Sequence, residues 1–583
     1  MPPMHPVVPM VLAAALLPLL PAVLRRIACV AAPVLSLSII ATAAAGNSWS
    51  FDFIGQQITL MRCDPLSRVF GLVFAVAAIA ASLYGWHRRR LSEQIPALVY
   101  AGGGMSVVFA GDLLSLLIAW EAMAVSSALL VFAGRKPAAV AAGFRYLLIH
   151  LAAGGLMLIA ITGLISAGHG LAFDHFTSDG WPAFTFLCAL CINAAVPPLH
   201  GWLPDAYPAS TVSGSVFLST FTTKAAVYCL VRGFAGNEAL IWFGAVMAVY
   251  GVVFATLEDD MRRLLSYHIV SQVGYMVCGV GIGTALALNG AVAHAVCHIL
   301  YKSLLFMAVG AVIYSTGRNR LSELGGLYSR MPLTLIFYMI GALSISGAPL
   351  LNGFVSKSLI VSGAGDAGYA GAAFLLTLAS VGTFLSVGLK LPYFAWGPTG
   401  RGRGDDGGAG EDLARAGEPP LHMLAAMAIP AALCVVIGLA PELLYRFLPN
   451  QPVAYQPYSA HHVFEMLLVM ALGAAAFWQL RGKLTPHAGE TLDLDQLYRR
   501  PAGWLANGVS VAFDRTADRL AGHFARGRDR LVDWTRDPTR LPGSFGDERD
   551  WFDENARRPP IGTGLSWMLA TLALVAAALF FAS

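Results

Sequence analysis

An all-α polytopic membrane protein of about 14–16 transmembrane helices is the fold class this sequence predicts, and three observations predict it. Hydrophobic residues make up 57% of the chain against 12% charged, with a mean hydropathy of +0.64, far outside the range of soluble domains. Apolar runs near bilayer-spanning length recur from end to end. Lys and Arg then gather in alternate loops between those runs, as the positive-inside rule requires.

In order, spans are expected near 7–24, 27–45, 66–86, 96–111, 113–133, 144–168, 182–200, 211–232, 238–256, 263–283, 289–314, 332–355, 371–395, 421–440, 463–480 and 564–583. Odd-numbered loops hold Arg25, Arg26, Arg88, Arg89, Arg90, Arg135, Lys136, Arg262, Arg263, Arg318, Arg320, Arg330, Arg401, Arg403 and Arg415; even-numbered loops hold little beyond Arg62, Arg68, Arg232 and Arg446. Odd loops are therefore read as cytoplasmic, with the N-terminus outside, in a cell (inner or plasma) membrane. The first apolar run lacks a basic region before it and meets another run directly after Arg25 and Arg26, so it reads as a span and not a signal peptide.

Organisation follows from this segmentation. Residues 1–95 form N-terminal helices, 96–232 and 238–395 two larger blocks, and 421–480 further helices. The Gly-rich, mixed-charge stretch 396–420 reads as a flexible cytoplasmic linker. Residues 481–563 are the only long polar segment, and within 509–537 Val511, Phe513, Leu520, Phe524, Leu531 and Trp534 fall at helical intervals among arginines. That is the pattern of an amphipathic interfacial helix or of a helix lying on its own protein, ahead of a last anchor helix at 564–583.

The net charge of +4 does not point to nucleic acid. Eight cysteines lie almost entirely within apolar runs, and the Cys188/Cys191 pair has no second ligand pair, so these are packing residues and not a disulfide or metal framework. No phosphate-cradling loop, flavin signature or nucleophile elbow is present. No cofactor or metal is therefore expected, redox chemistry has no seat in this chain, and no enzymatic activity is expected of it alone.

Chemistry is concentrated where ionisable residues interrupt apolar runs. Ile192 to Arg232 places Pro197, Pro198, His200, Pro204, Asp205 and Lys224 within apolar sequence. Prolines free backbone carbonyls that hydrocarbon cannot satisfy, so a broken helix there lines protein or water. The segment 344–361 repeats the pattern about 150 residues later, with Gly, Pro and Lys357 inside apolar sequence, the pointer to a repeat-built transporter. The remaining ionisable groups within spans are Glu121, His150, His268, His294, His298, Lys302 and Lys390. Glu121 stands alone in an apolar run and requires a cationic partner or a proton. His294, His298 and Lys302 recur every four residues and share one helix face, an arrangement that suits proton hopping and lacks the further ligands of a zinc site. His268 and His150 read equally as core histidines, and Lys390 lies near enough a helix end to snorkel.

The runs AWEAMAVSSALLV, PPLHGWLPDAYP with TTKAAVYCLVR, RRLLSYHIVSQVGYM, AHAVCHILYKSLLFMAVGAVIYSTG and GAPLLNGFVSKS together resemble the antiporter-like membrane subunits shared by Mrp-type cation/proton antiporters and respiratory complex I. The resemblance covers about 60 to 400 and is nearest the Mrp D subunit. It implies two inverted five-helix repeats, roughly 96–232 and 238–395, each with a broken helix. It also implies a hydrated proton path through Glu121, Lys224, His294, His298, Lys302 and Lys357. His200, Asp205 and His268 are further candidates for the path or its uptake side. One departure stands out: the family's lysine five residues before the PLH proline is here Asn193, so that either Lys224 takes over as the partner of Glu121, with Asn193 orienting a water, or this half-channel conducts poorly; the first is the expectation. The implied function is the proton-translocating subunit of an Mrp-like Na+/H+ antiporter, with other membrane subunits, H+, Na+ and the lipid bilayer as partners. A proton-pumping subunit of an NADH:quinone or hydrogenase-type complex is the alternative, and a non-conducting scaffold the second.

Overall fold

A computed structural model describes residues 4–397 except 54, 89 and 177–179, then 416–486 and 493–496, with isolated positions beyond. Most of the linker 396–420, and nearly all of the expected amphipathic stretch and anchor helix, lie outside the described residues. Residues 1–496 form one compact unit.

The protein is a multi-pass helical bundle. Among the described residues, 11 helices are long and apolar enough to cross a membrane. The chain opens with α1 (Val8–Leu16), which runs through a single 3-10 turn to Leu19, and α2 (Ala22–Thr42). Here the expected spans shift: the first helix is short, Pro21 separates it from the next, and Arg25 and Arg26 fall in the first turns of α2 and not in a loop. Arg25 turns back to donate from Nε to the Leu20 carbonyl at 2.7 Å. Between α2 and the next helix lies a β-hairpin, β1 (Gly46–Phe53) and β2 (Gln56–Cys63), absent from the sequence expectation.

The central bundle follows: α3 (Pro65–Tyr84), α4 (Leu91–Phe109), α5 (Leu113–Phe132), α6 (Pro137–Ser166), α7 (Trp181–Asn193), α8 (Trp202–Ala209), α9 (Val212–Leu218), α10 (Thr222–Gly233), α11 (Glu238–Leu257), α12 (Met261–Ile282) and α13 (Ala285–Thr316). Then come α14 (Pro332–Ser346), α15 (Asn352–Asp366) and α16 (Ala370–Thr383); α16 continues through a π-helical stretch at Phe384–Lys390 into α17 (Leu391–Trp396). Leu421–Leu439, the short helix Glu442–Tyr445 and Ala460–Leu480 follow. α12 and α13 are buried almost end to end, and His268, His294, His298 and Lys302 lie on them.

Both expected breaks are present, and at each some of the backbone groups near the break are bonded within the protein, as Ala348 N–H to the Leu343 carbonyl at 2.9 Å in the second. Between α7 and α8, Trp202 Nε1 donates to the Ile192 carbonyl at 3.0 Å, and the Val196 amide donates to the Cys191 carbonyl at 3.0 Å. Between α14 and α15, Gly347 sits at φ +83°, and Gly353 lies so close to the Ser344 carbonyl that a Cβ would come within 1.7 Å of its oxygen. A third break was not expected: the span 211–232 divides into α9 and α10 at 219–221.

α11 and α12 pack backbone to backbone. A Cβ on Gly244 would lie 2.3 Å from the Cys278 amide nitrogen, one on Gly251 2.5 Å from that of Ser271, and one on Gly274 2.6 Å from that of Ala248. Small residues at heptad-like spacing permit this approach. Lys390 secures the end of α11: it is 2% exposed and donates to the Thr256 and Glu258 carbonyls at 2.6 and 2.8 Å. It therefore caps a helix terminus inside the protein and does not snorkel. Two outcomes are expected. Gly251→Leu forces α11 and α12 apart and destabilises the protein by about 3 kcal/mol or more, read as lost abundance in membranes, whereas substitution of the open Gly155 leaves abundance unchanged. Lys390→Met leaves two carbonyls without their donor and lowers the thermal-aggregation midpoint in detergent, equivalent to about 1–3 kcal/mol.

Candidate functional site

The interior holds a row of buried cations and imidazoles. Lys224, Lys302, His200, His268, His294 and His298 are fully buried, and Lys357 and His150 are 1% exposed. Several of their polar atoms have no hydrogen-bond partner among the described residues: Lys302 Nζ, both ring nitrogens of His298, His268 Nδ1, His150 Nε2 and His200 Nδ1. Buried polar groups in native proteins are bonded to protein or to water, so this row has the chemistry of a hydrated passage.

At one end, Glu121 on α5 is half-buried and lies against the bare face of Gly154 on α6, where a Cβ would come within 1.6 Å of Oε1. It forms no ion pair among the described residues, and Lys224 is turned elsewhere. Lys224 Nζ donates to the Ser219 carbonyl at 2.5 Å, a group freed by the break between α9 and α10. The expected Glu121–Lys224 pair is thus not formed. Instead, His150 stands one helical turn before Gly154. Its Nδ1 donates to Asn193 Oδ1 at 2.6 Å, an orientation fixed because Asn193 Nδ2 donates to the Ala189 carbonyl at 2.8 Å. Asn193 therefore binds a histidine directly and needs no water to occupy its oxygen.

A run of hydroxyls begins beside His150. The His150 and Tyr146 ring centroids lie 4.2 Å apart. The Tyr146 hydroxyl reaches Ser127 Oγ at 3.0 Å and Thr222 Oγ1 at 3.4 Å, and Thr222 in turn meets the Tyr100 hydroxyl at 2.7 Å. Thr222 is two residues from Lys224.

From there the row passes into α13. His294, His298 and Lys302 stand there at four-residue intervals, all fully buried. The His294 and His298 ring centroids are 6.4 Å apart. His294 Nδ1 bonds Ser356 Oγ on α15 at 2.9 Å, and the Tyr301 hydroxyl lies 3.3 Å from its Nε2. Lys357, one residue after Ser356, donates to Ser380 Oγ at 3.3 Å and sits 4.7 Å from the centre of the Tyr275 ring. A cavity of about 240 Å³ opens beside Lys357 and continues past Ser362 and Thr377 to His462 and Glu465.

The remaining sequence candidates take different places. His268 Nε2 bonds Ser386 Oγ in the π-helical stretch at 2.6 Å. Asp205 is held by Arg145 through two bonds, 2.7 and 3.0 Å, which clamp α8 to α6. His200 meets a residue that the sequence reading left unassigned: its Nε2 lies 3.0 Å from Asp493 Oδ2, across 293 positions of sequence.

A sequence profile described as NADH:quinone oxidoreductase/Mrp antiporter, TM, matches residues 110–386, the stretch that holds most of this row. An uncharacterized protein of Methanocaldococcus jannaschii is 30% identical over 363 residues, covering 59% of this chain and 73% of its own. Hydrogenase-4 component B of Escherichia coli K12 is 31% identical over 432 residues (66% of this chain, 63% of its own). The D subunit of a Na(+)/H(+) antiporter from Alkalihalophilus pseudofirmus is 32% identical over 271 residues (43% and 55%). Against several such curated relatives the chain spans 66% or less of their length. Among solved structures, a chain of the membrane-bound sulfane sulfur reductase, an archaeal respiratory membrane complex, aligns with a TM-score of 0.70 at 24% identity, covering 98% of this chain and 99% of its own. A chain of the Mrp complex from Dietzia aligns at 0.65 and 22% identity, covering 80% and 98%. With the fold, the interior row and these matches in agreement, the chain belongs to the family of antiporter-like membrane subunits shared by Mrp antiporters and NADH:quinone oxidoreductases.

Proposed function

We propose that this chain is the proton-translocating membrane subunit of a multisubunit Mrp-like Na+/H+ antiporter in the cell membrane, with its N-terminus outside. The observation that carries the reading is the row of buried imidazole and ammonium groups, among them Lys302 and His298, whose polar atoms have no partner among the described residues. Such groups accept and release protons through intervening water. Because it is cationic or neutral along Lys224, Lys302, His298, His294 and Lys357, the row repels Na+ and passes protons, and sodium handling falls to partner subunits.

In this reading Glu121 and His150 form an acid–base station at one end of the row, with His150 in the part that the family assigns to the lysine replaced by Asn193. Charge arriving at Lys224 shifts the balance at Lys302 and His298, and the proton leaves past Lys357 through the cavity that ends at His462 and Glu465. The asymmetric loop charge supports an orientation with the odd-numbered loops in the cytoplasm.

A second reading, a proton pump driven by a redox partner, is supported by the likeness to hydrogenase-4 component B, which is 31% identical over 432 residues. Inverted vesicles expressing the chain with its partner subunits separate the two. Proton movement evoked by Na+ supports the antiporter, while movement that follows a reductant and ignores Na+ assigns the chain to the pump. In either case Lys302→Ala and Glu121→Gln reduce the signal by about tenfold or more, equivalent to about 1.4 kcal/mol or more, at unchanged abundance. Wild-type rates in both variants exclude conduction through this row. His150→Ala matches the loss in Glu121→Gln, and adding Asn193→Lys to it restores transport; an inert His150→Ala removes the histidine from the path.

A further inference from the structure

Beyond helix Ala460–Leu480, which the loop charges bring to the cytoplasmic face, residues 493–496 return to the helical bundle. Asp493 and Asp495 are 7% and 4% exposed, and the Asp493 side chain only 1%. Three groups from three parts of the bundle meet the Asp493 carboxylate. His200 Nε2, from the break between α7 and α8, lies at 3.0 Å; the Tyr267 hydroxyl of α12 donates at 2.5 Å; and the Tyr250 hydroxyl of α11 donates to the other oxygen. Tyr250 and Tyr267 lie seven and six residues from the ends of their helices, so the cluster sits about 10 Å below that face.

The charges around it are unequal. Arg263, which faces Tyr267 and Asp495, is already paired with Glu258 at 3.0 Å. The rings of Tyr250 and Tyr267 flank the imidazole at 4.9 and 6.2 Å. Burial alone would push the Asp493 carboxyl up, but the bonds from His200, Tyr250 and Tyr267 outweigh it and hold the group at about 2. Asp493 is therefore an anion, and one that accepts from His200 Nε2–H. The other ring nitrogen, Nδ1, is buried and has no partner among the described residues. An imidazole with one nitrogen on a carboxylate and a lone pair free on the other is arranged to take a proton there.

We propose that His200 and Asp493 form the proton-loading pair of this protein, in which His200 takes up the proton at Nδ1 and Asp493, supplied by the segment after the last described membrane helix, balances the charge. This rests on the proton-conduction reading above. In the step, a hydronium O–H bond breaks, an Nδ1–H bond forms and water remains; release toward the interior reverses it at the same nitrogen, while the Nε2–H stays on the carboxylate. Asp493 is a positioning residue, since it acts through His200.

The test uses inverted vesicles with the full set of partner subunits and compares wild type, Asp493→Asn, Asp493→Glu and Lys302→Ala. Asp493→Asn keeps an acceptor for the tyrosines but removes the charge. The proton taken up at Nδ1 then has no counter-charge beside it, so proton movement falls about tenfold at neutral pH and the rate profile shifts to lower pH. Asp493→Glu retains the charge and most of the rate. A wild-type rate and profile in Asp493→Asn overturns the pair, as does a loss equal at every pH, which marks a structural strut. Should Asp493→Asn reduce abundance, Asp493→Glu decides: retained transport supports the pair, and loss as deep as that of Asn overturns it. Lys302→Ala separates the two levels. If it stops transport while Asp493→Asn does not, only the loading pair fails; if it too is inert, the conduction reading fails and the pair with it.

Discussion

Placing a lysine in the centre of a membrane helix costs about 2.5–3.5 kcal/mol on insertion scales, and this bundle buries Lys224, Lys302, Lys357 and Lys390 at 2% exposure or less. Much of the architecture answers that cost. α12 is buried almost throughout and α13 over most of its length, so that His268, His294, His298 and Lys302 lie inside the protein. Lys224 and Lys390 are held by backbone carbonyls, Lys357 by a hydroxyl and the face of a tyrosine, and Lys302 by no hydrogen bond from any described residue. The gradation is informative. Where a carbonyl takes the ammonium, the group is fixed; where none does, water must solvate it.

Helix breaks supply what the cations need, since a carbonyl inside an unbroken helix is already occupied. The interruption at 219–221 frees the Ser219 oxygen for Lys224, and the end of α11 offers Thr256 and Glu258 to Lys390. Local backbone irregularity and buried charge therefore stabilise one another: neither would be tolerated at this depth alone.

The ionisable row was legible in the sequence because a charged or titratable residue in an apolar run is costly enough to mark itself. Its members arrive together in the fold largely as their spacing requires, with His294, His298 and Lys302 on one face of α13. Other features left weaker traces. The break at 219–221 has neither Pro nor Gly, only the Ser and Thr residues of STFTT, whose hydroxyls compete for backbone groups without announcing where. The hairpin at 46–63 alternates polar and aromatic residues, a period-2 signal overshadowed by the apolar runs around it. His150 was indistinguishable from a core histidine until Asn193 and Gly154 were seen beside it. The contact between His200 and Asp493 had no local signature, because each residue is ordinary in its own surroundings and the pairing exists only across the folded chain.

That contact has a consequence for how related chains are compared. An aspartate carried on a polar segment is constrained by where its carboxylate arrives and not by its place in a helix register. The same carboxylate could reach this histidine from another sequence position without any change in the membrane helices. The boundary of the working unit is then set by electrostatic closure in space, and two chains with identical membrane helices can differ in function through a tail that alignment of those helices never reaches.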